Sequence, residues 1–322
     1  MDEFDLIARY LAPLTQGAPG AFGLANDAAT LGVSPGTELV VTKDMMAEGV
    51  HFLADDPPDL VARKLLRVNL SDLAAMGAEP IGYLIGAGLT ERTGEDWIRG
   101  FVAGLEADQK TYGVRLLGGD TIGLGAGPLV LSLTALGAVP TGRALTRTGA
   151  RPGDLLVVSG HLGDAALGLL CLQGRLEIAG GDRESLIARY RLPQPRLGLG
   201  RSLVGRASAA LDVSDGLIGD AGHLAEDSGV AIEIAAASLP LSEAVRRLVD
   251  VDPAHLASVM TGGDDYELLF TIARADLAEV AAEVPLTVIG RCVRGEGVKA
   301  VDGAGRDITP AIGGWRHPMP DA

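Results

Sequence analysis

Five times along the chain an apolar run gives way to aspartate set beside glycine, serine, threonine or asparagine. The five sites are Asn26-Asp27-Ala28-Ala29, Thr42-Lys43-Asp44, Gly118-Gly119-Asp120-Thr121, Asp212-Val213-Ser214-Asp215-Gly216 and Gly262-Gly263-Asp264-Asp265-Tyr266-Glu267. Runs such as Glu38 to Val41, apolar and β-branched, read as buried strands, so the fold must be one whose strands deliver carboxylates at their ends. In proteins that mix helices and sheets, such ends are where rigid backbone hands side chains to a ligand. Carboxylates brought together repel and raise each other's pKa unless a cation neutralises them, so convergence calls for a hard divalent metal, Mg2+ above all. Any one of these motifs is also an ordinary solvated turn, and it is their repetition that carries weight.

The chain has 322 residues, 47% of them hydrophobic, enough for two domains of roughly 100 to 200 residues with cores of their own. A net charge of −15, with lysine only at Lys43, Lys64, Lys110 and Lys299, opposes sequence-independent affinity for nucleic acid or for an anionic membrane. The start, Met1-Asp2-Glu3-Phe4-Asp5, has neither a basic nor an apolar leader region, and no apolar run approaches the roughly 18 residues a span requires. The expectation is a cytoplasmic protein with no membrane and no nucleic-acid partner. Cys171 and Cys292, far apart in apolar surroundings, read as packed core thiols.

Phe4, Ile7, Tyr10, Leu11 and Leu14 predict one amphipathic helix over 3–14. Ala28 to Leu31 and the strand ending at Asp44 predict a hairpin flanked by Asp27 and Asp44. Val61, Leu65, Val68, Asp72 and Met76 share the face of a helix over 57–76, which puts Asp72 on a core-facing row near the carboxyl end, where a carboxylate needs a compensating cation. The alternative is that Ser71 or Asp72 caps a short separate helix. Strands follow at 79–89, 114–117 and 128–139 and a helix at 94–112; Gly118 and Gly119 then leave room for close backbone approach to phosphate just ahead of Asp120 and Thr121.

Turn residues on either side of Arg143 and Arg147 place a domain boundary near residue 140, giving domains 1–140 and 141–322. Either arginine could clamp a phosphate, or both could be solvated linker residues. The second domain alternates strands at 155–159, 209–213, 230–234 and 266–272 with helices at 164–172, 184–192, 196–207, 217–227, 242–249 and 253–260. Residues 273–312 receive no assignment. Ser214 or Asp215 would cap the helix that follows them. Alternation along the last strand would put Glu267 opposite Tyr266, Leu268 and Phe270, facing a ligand. Trp315, in the tail Gly313-Gly314-Trp315-Arg316-His317-Pro318, is either surface packing or a stacking platform.

Phosphoryl transfer makes best use of such carboxylates, because metals can bridge polyphosphate oxygens as charge moves; hydrolysis would fit as well. The usual phosphate devices are missing: G-x-x-x-x-G-K-[ST], a kinase H-R-D loop, and a strand-to-helix G-x-G-x-x-G.

Taken in order, the five motifs together with Glu48-Gly49-Val50-His51-Phe52, Asn69-Leu70-Ser71-Asp72-Leu73-Ala74-Ala75-Met76-Gly77-Ala78 and Ala144-Leu145-Thr146-Arg147-Thr148-Gly149-Ala150-Arg151-Pro152-Gly153-Asp154 resemble those of the thiamine-monophosphate kinases. That family is related to aminoimidazole ribonucleotide synthetase and selenophosphate synthetase. The resemblance spans nearly the whole chain. It implies direct transfer of the γ-phosphoryl group of ATP to thiamine monophosphate, with several Mg2+ ions and no covalent enzyme intermediate. It implies Asp27, Thr42, Asp44, Asp72, Asp120, Asp212 and Asp215 as metal ligands, and Gly119, Asp120, Arg147 and Ser214 as ATP contacts. His51, Glu267 and Trp315 are implied at the acceptor, and Asp44, Asp120 and Arg147 at the centre of catalysis. The implied fold is α+β: an N-terminal domain whose sheet forms a barrel across a homodimer, followed by an α+β domain. The chain departs from the family pattern at Asn26, where aspartate is usual, and at Lys43, where a hydroxyl residue is common; both changes make the site less negative. Other readings are a different ATP-using member of the superfamily, or a nucleotide- or Mg2+-binding module without turnover.

Overall fold

A computed structural model describes residues 3–178 and 180–315; Arg316 to Pro318 of the tail lie outside the described residues. The elements in chain order are α1 (Glu3–Leu6), β1 (Thr37–Ala47), α2 (Pro58–Ala75), β2 (Glu79–Thr90), α3 (Glu95–Tyr112), β3 (Arg115–Gly125) and β4 (Val130–Pro140). Then come β5 (Leu155–Ser159), α4 (Asp164–Leu172), α5 (Gly181–Arg191), α6 (Leu197–Leu203), β6 (Ala207–Asp212), α7 (Leu217–Ser228) and β7 (Ala231–Ala235). The last are α8 (Glu243–Val251), α9 (His255–Thr261), β8 (Leu268–Ile272), β9 (Leu286–Val293) and β10 (Gly297–Val301). The chain divides into two compact units, residues 1–73 with 78–144 and residues 74–77 with 145–322. The fold is mixed α/β with one sheet in each unit.

The first unit is a four-stranded sheet in the order β1-β4-β2-β3, antiparallel except for the parallel β2–β3 pair. Burial alternates along β4, with Leu131, Leu133, Ala135 and Val139 inward, as a one-sided sheet requires. The sheet is open, with β1 and β3 as its edges, and no closed barrel is present among the described residues. Helix α2 starts on Pro58, which loses nothing at a position whose N–H has no helical partner, and stops at Gly77, whose φ of 71° suits the left-handed exit. Arg63 and Arg67, one turn apart on α2, both grip the fully buried Asp108 of α3, at 3.0 and 2.6 Å, and so fix the rotation of α2.

Three expectations fail here. The helix predicted over 3–14 breaks into α1, a π turn at Ile7–Leu11 and a 3-10 turn at Ala12–Thr15, because Pro13 has no N–H to continue an α-helical ladder. Phe4 is left exposed while Tyr10, Leu11 and Leu14 are buried. Residues 28–31 form no strand, so there is no hairpin, and β1 pairs with β4 along its whole length. Finally, Gly118 to Thr121 do not follow a strand but lie within β3.

The second unit is a six-stranded sheet in the order β10-β7-β9-β5-β8-β6, antiparallel apart from β10–β7. β5 and β8, near its middle, are buried along both faces. One core joins Leu156 and Val158 of β5, Leu211 of β6 and Leu269 of β8 to Leu217, Ala221 and Leu224 of α7 and to Val245 of α8. Both cysteines are buried thiols, and burial pushes Cys292 up to about 12. No described helix is long and apolar enough to cross a membrane.

Candidate active site

In the first unit the polar triplet Thr42-Lys43-Asp44 lies inside β1, where the pleat sorts it. Val40 and Met46 are buried, so Thr42 and Asp44 point to their side, while Leu39, Val41, Lys43 and Met45 face outward. On the inner side Thr42 donates its hydroxyl to the Asp72 carboxylate, and the Asp44 amide donates to Asn69 Oδ1 at 3.1 Å. Asn69 is locked in turn by donating from Nδ2 to the Leu65 carbonyl at 2.9 Å. Asn69 and Asp72 are three apart on α2 and therefore share a face. The strand and the helix together assemble Thr42, Asp44, Asn69 and Asp72, and the hydroxyl supplies part of the compensation that a half-buried Asp72 near a helix carboxyl end needs.

The turn after β1 carries His51, whose Nδ1 accepts the Ala47 amide at 3.1 Å and whose carbonyl accepts from the buried Lys64 at 3.0 Å. Glu48 binds Arg92 through both oxygens, at 2.7 and 2.8 Å, and this guanidinium holds its carboxyl below the usual range.

On the other edge of the sheet, Gly119 of β3 is obligatory, because a Cβ there would overlap the Ile85 carbonyl oxygen. Asp27, Asn26, Gly118, Gly119, Asp120 and Thr121 line one cavity of about 450 Å3 whose floor includes Leu84, Ile85 and Leu116. The strand registers put Asp44, Leu133, Ile85 and Gly119 in a single row across the sheet. Asp44 thus ends that row at one edge, and Asp120 stands one residue past its other end, in register with Met45 and so on the opposite face, the two strands three spacings or about 14 Å apart. The single gathering of acids is therefore absent from this sheet; it carries two groups, one at each edge.

In the second unit Asp212 ends β6, 6% exposed, and the turn Val213 to Gly216 leads into α7. Neither Ser214 nor Asp215 caps that helix; the amides of Asp215 and Gly216 both donate to Asp220 Oδ2 at 3.1 Å. Burial, then the charge of Asp215, pushes the Asp220 carboxyl up to about 7, with Arg147 acting in the opposite sense. Sequence reasoning missed Asp220, whose only signal is an acid in the first turn after Ser-Asp-Gly. Arg147 is exposed, and its carbonyl accepts from Ser228 Oγ at 2.9 Å. Trp315, 53% exposed, donates its backbone N–H to the Asp215 carbonyl at 2.9 Å. Beside Asp215 it lines a cavity of about 1080 Å3 that also presents His223, Glu226 and Glu296 and, among the described residues, no lysine or arginine.

Glu267 is not where alternation along β8 would put it. The strand starts one residue later, at Leu268, and has no solvent face. Glu267 is 0% exposed and its oxygens accept from Arg189 at 2.8 Å, from Nε of Arg196 at 2.6 Å and from Ser159 Oγ at 2.6 Å. Among the described residues no three His, Cys, Asp or Glu side chains of this chain form a ready metal cage.

Residues 25–139 match the family model of the AIR synthase related protein N-terminal domain, and 151–303 match that of its C-terminal domain. The chain is thus a two-domain protein of the AIR synthase related class. It is 45% identical to a thiamine-monophosphate kinase of Caulobacter vibrioides over 98% of this chain and 90% of that one. The crystal structure of a thiamine-monophosphate kinase from Stenotrophomonas maltophilia superposes with a TM-score of 0.83 at 42% identity, covering 93% of this chain and 96% of that one. AaThiL, complexed with AMPPCP and TMP, superposes with a TM-score of 0.79 at 32% identity, covering 92% and 97%. The chain belongs to the thiamine-monophosphate kinase family.

Proposed function

We propose that this protein transfers the γ-phosphoryl group of ATP to thiamine monophosphate, yielding ADP and thiamine diphosphate, in the cytoplasm. The observation that carries the reading is identity of 41% and 45% to thiamine-monophosphate kinases over 98% of the chain, with AMPPCP and TMP bound in the related AaThiL. A bond forms between an oxygen of the acceptor phosphate and the γ-phosphorus as the bond from that phosphorus to the bridging oxygen of ADP breaks. The nucleophile is already anionic at neutral pH, so no general base is needed, only alignment and neutralisation of charge.

The donors suit Mg2+. They are carboxylate and hydroxyl oxygens, and Mg2+ in nucleotide sites takes only one or two carboxylates beside phosphate and water, so a three-acid cage is unnecessary. Thr42, Asp44 and Asp72, then Asp27 and Asp120, then Asp212 and Asp215 are the proposed ligand groups. Once bound, the metal neutralises polyphosphate charge. Gly119 lets the nucleotide approach the backbone at the cavity beside Asp120, and Ser214 and the Arg147 guanidinium serve ATP in the second unit. His51 is retained as an acceptor contact. The acidic, aromatic cavity at Trp315 suits a cationic aromatic ring, as thiamine has.

The fold places Asp44 and Asp120 on opposite edges of one sheet, and both edges carry exposed apolar residues: Val41 and Met45 on β1, Ile122 and Leu124 on β3. A homodimer that joins these sheets into a barrel would bring the edge that carries Asp44 in one copy beside the edge that carries Asp120 in the other.

The test is a steady-state assay with ATP and thiamine monophosphate that measures both products. Equal amounts of ADP and thiamine diphosphate are expected. ADP formed only with some other acceptor, or nucleotide binding without turnover, would overturn the reading.

A further inference from the structure

Between Gly262 and Leu268 the chain follows a path that its residues disfavour. Asp264 and Tyr266 have φ of 71° and 50°, a region side chains avoid unless their surroundings impose it. Three backbone bonds tie this path to the turn after β6. The Asp264 amide donates to the Ser214 carbonyl at 2.9 Å, the Tyr266 amide to the Val213 carbonyl at 2.8 Å, and the Val213 amide to the Glu267 carbonyl at 2.8 Å. The shape of 264–267 is therefore transmitted to Asp212 through Gly216.

Two inward carboxylates hold 264–267 in place. Asp265 accepts the Gly163 amide at 2.8 Å just before α4. Glu267 accepts from Arg189 of α5, from both a fork nitrogen and Nε of Arg196 ahead of α6, and from Ser159 at the end of β5. Gly160 has no room for a Cβ against that carboxylate. Two guanidinium groups on one enclosed carboxylate are directional in a way apolar packing is not.

We propose that Arg189 and Arg196, half-buried, close on the buried Glu267 as a latch that sets the strained 264–267 path and thereby positions the Asp212–Asp215 turn. Glu267 is then a positioning residue that acts through that turn, not an acceptor contact. The role of the turn rests on the phosphoryl-transfer reading above; the latch itself does not. A carboxylate whose oxygens are engaged by four donors has no lone-pair direction to spare for an aminopyrimidine.

The experiment compares the full-length protein with Arg196→Met, Arg196→Lys and Glu267→Gln. It follows amide hydrogen exchange, the Mg2+ dependence of turnover, and KM for thiamine monophosphate. In Arg196→Met, exchange across 212–216 and 262–267 should quicken about tenfold while the β7–β9 amides keep their rates. The Mg2+ concentration for half-maximal rate should rise severalfold, kcat should fall on the order of 10-fold, and KM for the acceptor should move less than about twofold. Arg196→Lys should recover part of each change, because it restores the charge without the fork.

A rise in acceptor KM alone, with exchange unchanged, would make the cluster an acceptor site and overturn the latch. So would uniform quickening across the whole unit with unaltered Mg2+ dependence, which would mark bulk stability, or no change in any variant. Should wild type form no thiamine diphosphate, the functional reading fails while the exchange data still decide the latch.

Discussion

The two units present their acids by opposite means. In the first, Thr42, Asp44 and Asp120 stand on edge strands, half-buried or exposed, and the pleat of an open sheet aims them. In the second, Asp212 is buried and Asp215 rides a turn whose shape is held from beneath by Asp220, Asp265 and Glu267, themselves buried acids. A sheet edge offers side chains cheaply but cannot bring its two ends together, whereas a turn can be placed accurately only if interior groups restrain it. Substitutions in the first unit should therefore cost activity with little loss of fold, and those in the second should couple activity to stability.

The largest effect is expected at the sheet edges. Asp44→Asn and Asp120→Asn should each lower kcat by about 100-fold or more, as loss of a charge at the transferring group does, without lowering Tm in Mg2+-free buffer. If the proposed homodimer pairs Asp44 of one copy with Asp120 of the other, mixing and reassociating the two inactive variants should restore about a quarter of wild-type activity, the share of sites that then pair two intact acids. Mixtures that stay inactive would show that one chain supplies both.

Next in size is Asp220, where the second unit should show its coupling to stability. Its carboxyl is raised to about 7 from 3.8, so between those values the folded state binds more protons than the unfolded chain. The stability due to protonated Asp220 is fully present below about pH 4 and is lost as pH rises through about 7. Asp220→Asn stays neutral and keeps an oxygen for the amides of Asp215 and Gly216. In Mg2+-free buffer it should melt higher than wild type above pH 7, by at most on the order of 4 kcal/mol, and equally below pH 4. Equal melting at pH 8 would contradict the assignment.

What was legible in the sequence follows the same division. Helices α2 and α3 and strands β2 and β4 could be read within about two residues, because their periodicity reports a single buried face. β3 was cut short at Gly118, since glycine signals a turn; its continuation depends on a carbonyl of the neighbouring strand that leaves no space for a side chain. β9 and β10 went unread, as Arg291 and Lys299 interrupt their apolar pattern on exposed positions. Glu267 was aimed at a ligand by assuming that β8 has a solvent face, and burial on both sides is a property of the whole sheet. Asp220 could be recognised only from the amides that fold back onto it.

A smaller effect is expected at Trp315, which tests whether the acidic cavity of the second unit takes the acceptor. Trp315→Ala should raise KM for thiamine monophosphate about 10-fold, if cation and stacking contact is worth about 1 to 2 kcal/mol, and leave KM for ATP unchanged. An equal rise for both substrates would mean that the indole packs the Asp215 turn and does not meet the acceptor.

The smallest effect is expected at Lys43, and it tests the pleat argument directly. As a neighbour of Asp44 in sequence, this lysine is either a replacement for metal charge lost from the family pattern or, the reading the strand favours, an outward-pointing side chain. In the strand it is exposed on the face opposite Thr42 and Asp44 and donates to Ser132 Oγ of β4. One residue along a strand is the far side of the sheet, and the ammonium is screened by water there. Lys43→Thr should therefore leave kcat and the Mg2+ requirement within about twofold of wild type. A severalfold change in the Mg2+ requirement would mean that the ammonium does reach the inner side, and that placement of the acids by the pleat alone is an incomplete account of the first unit.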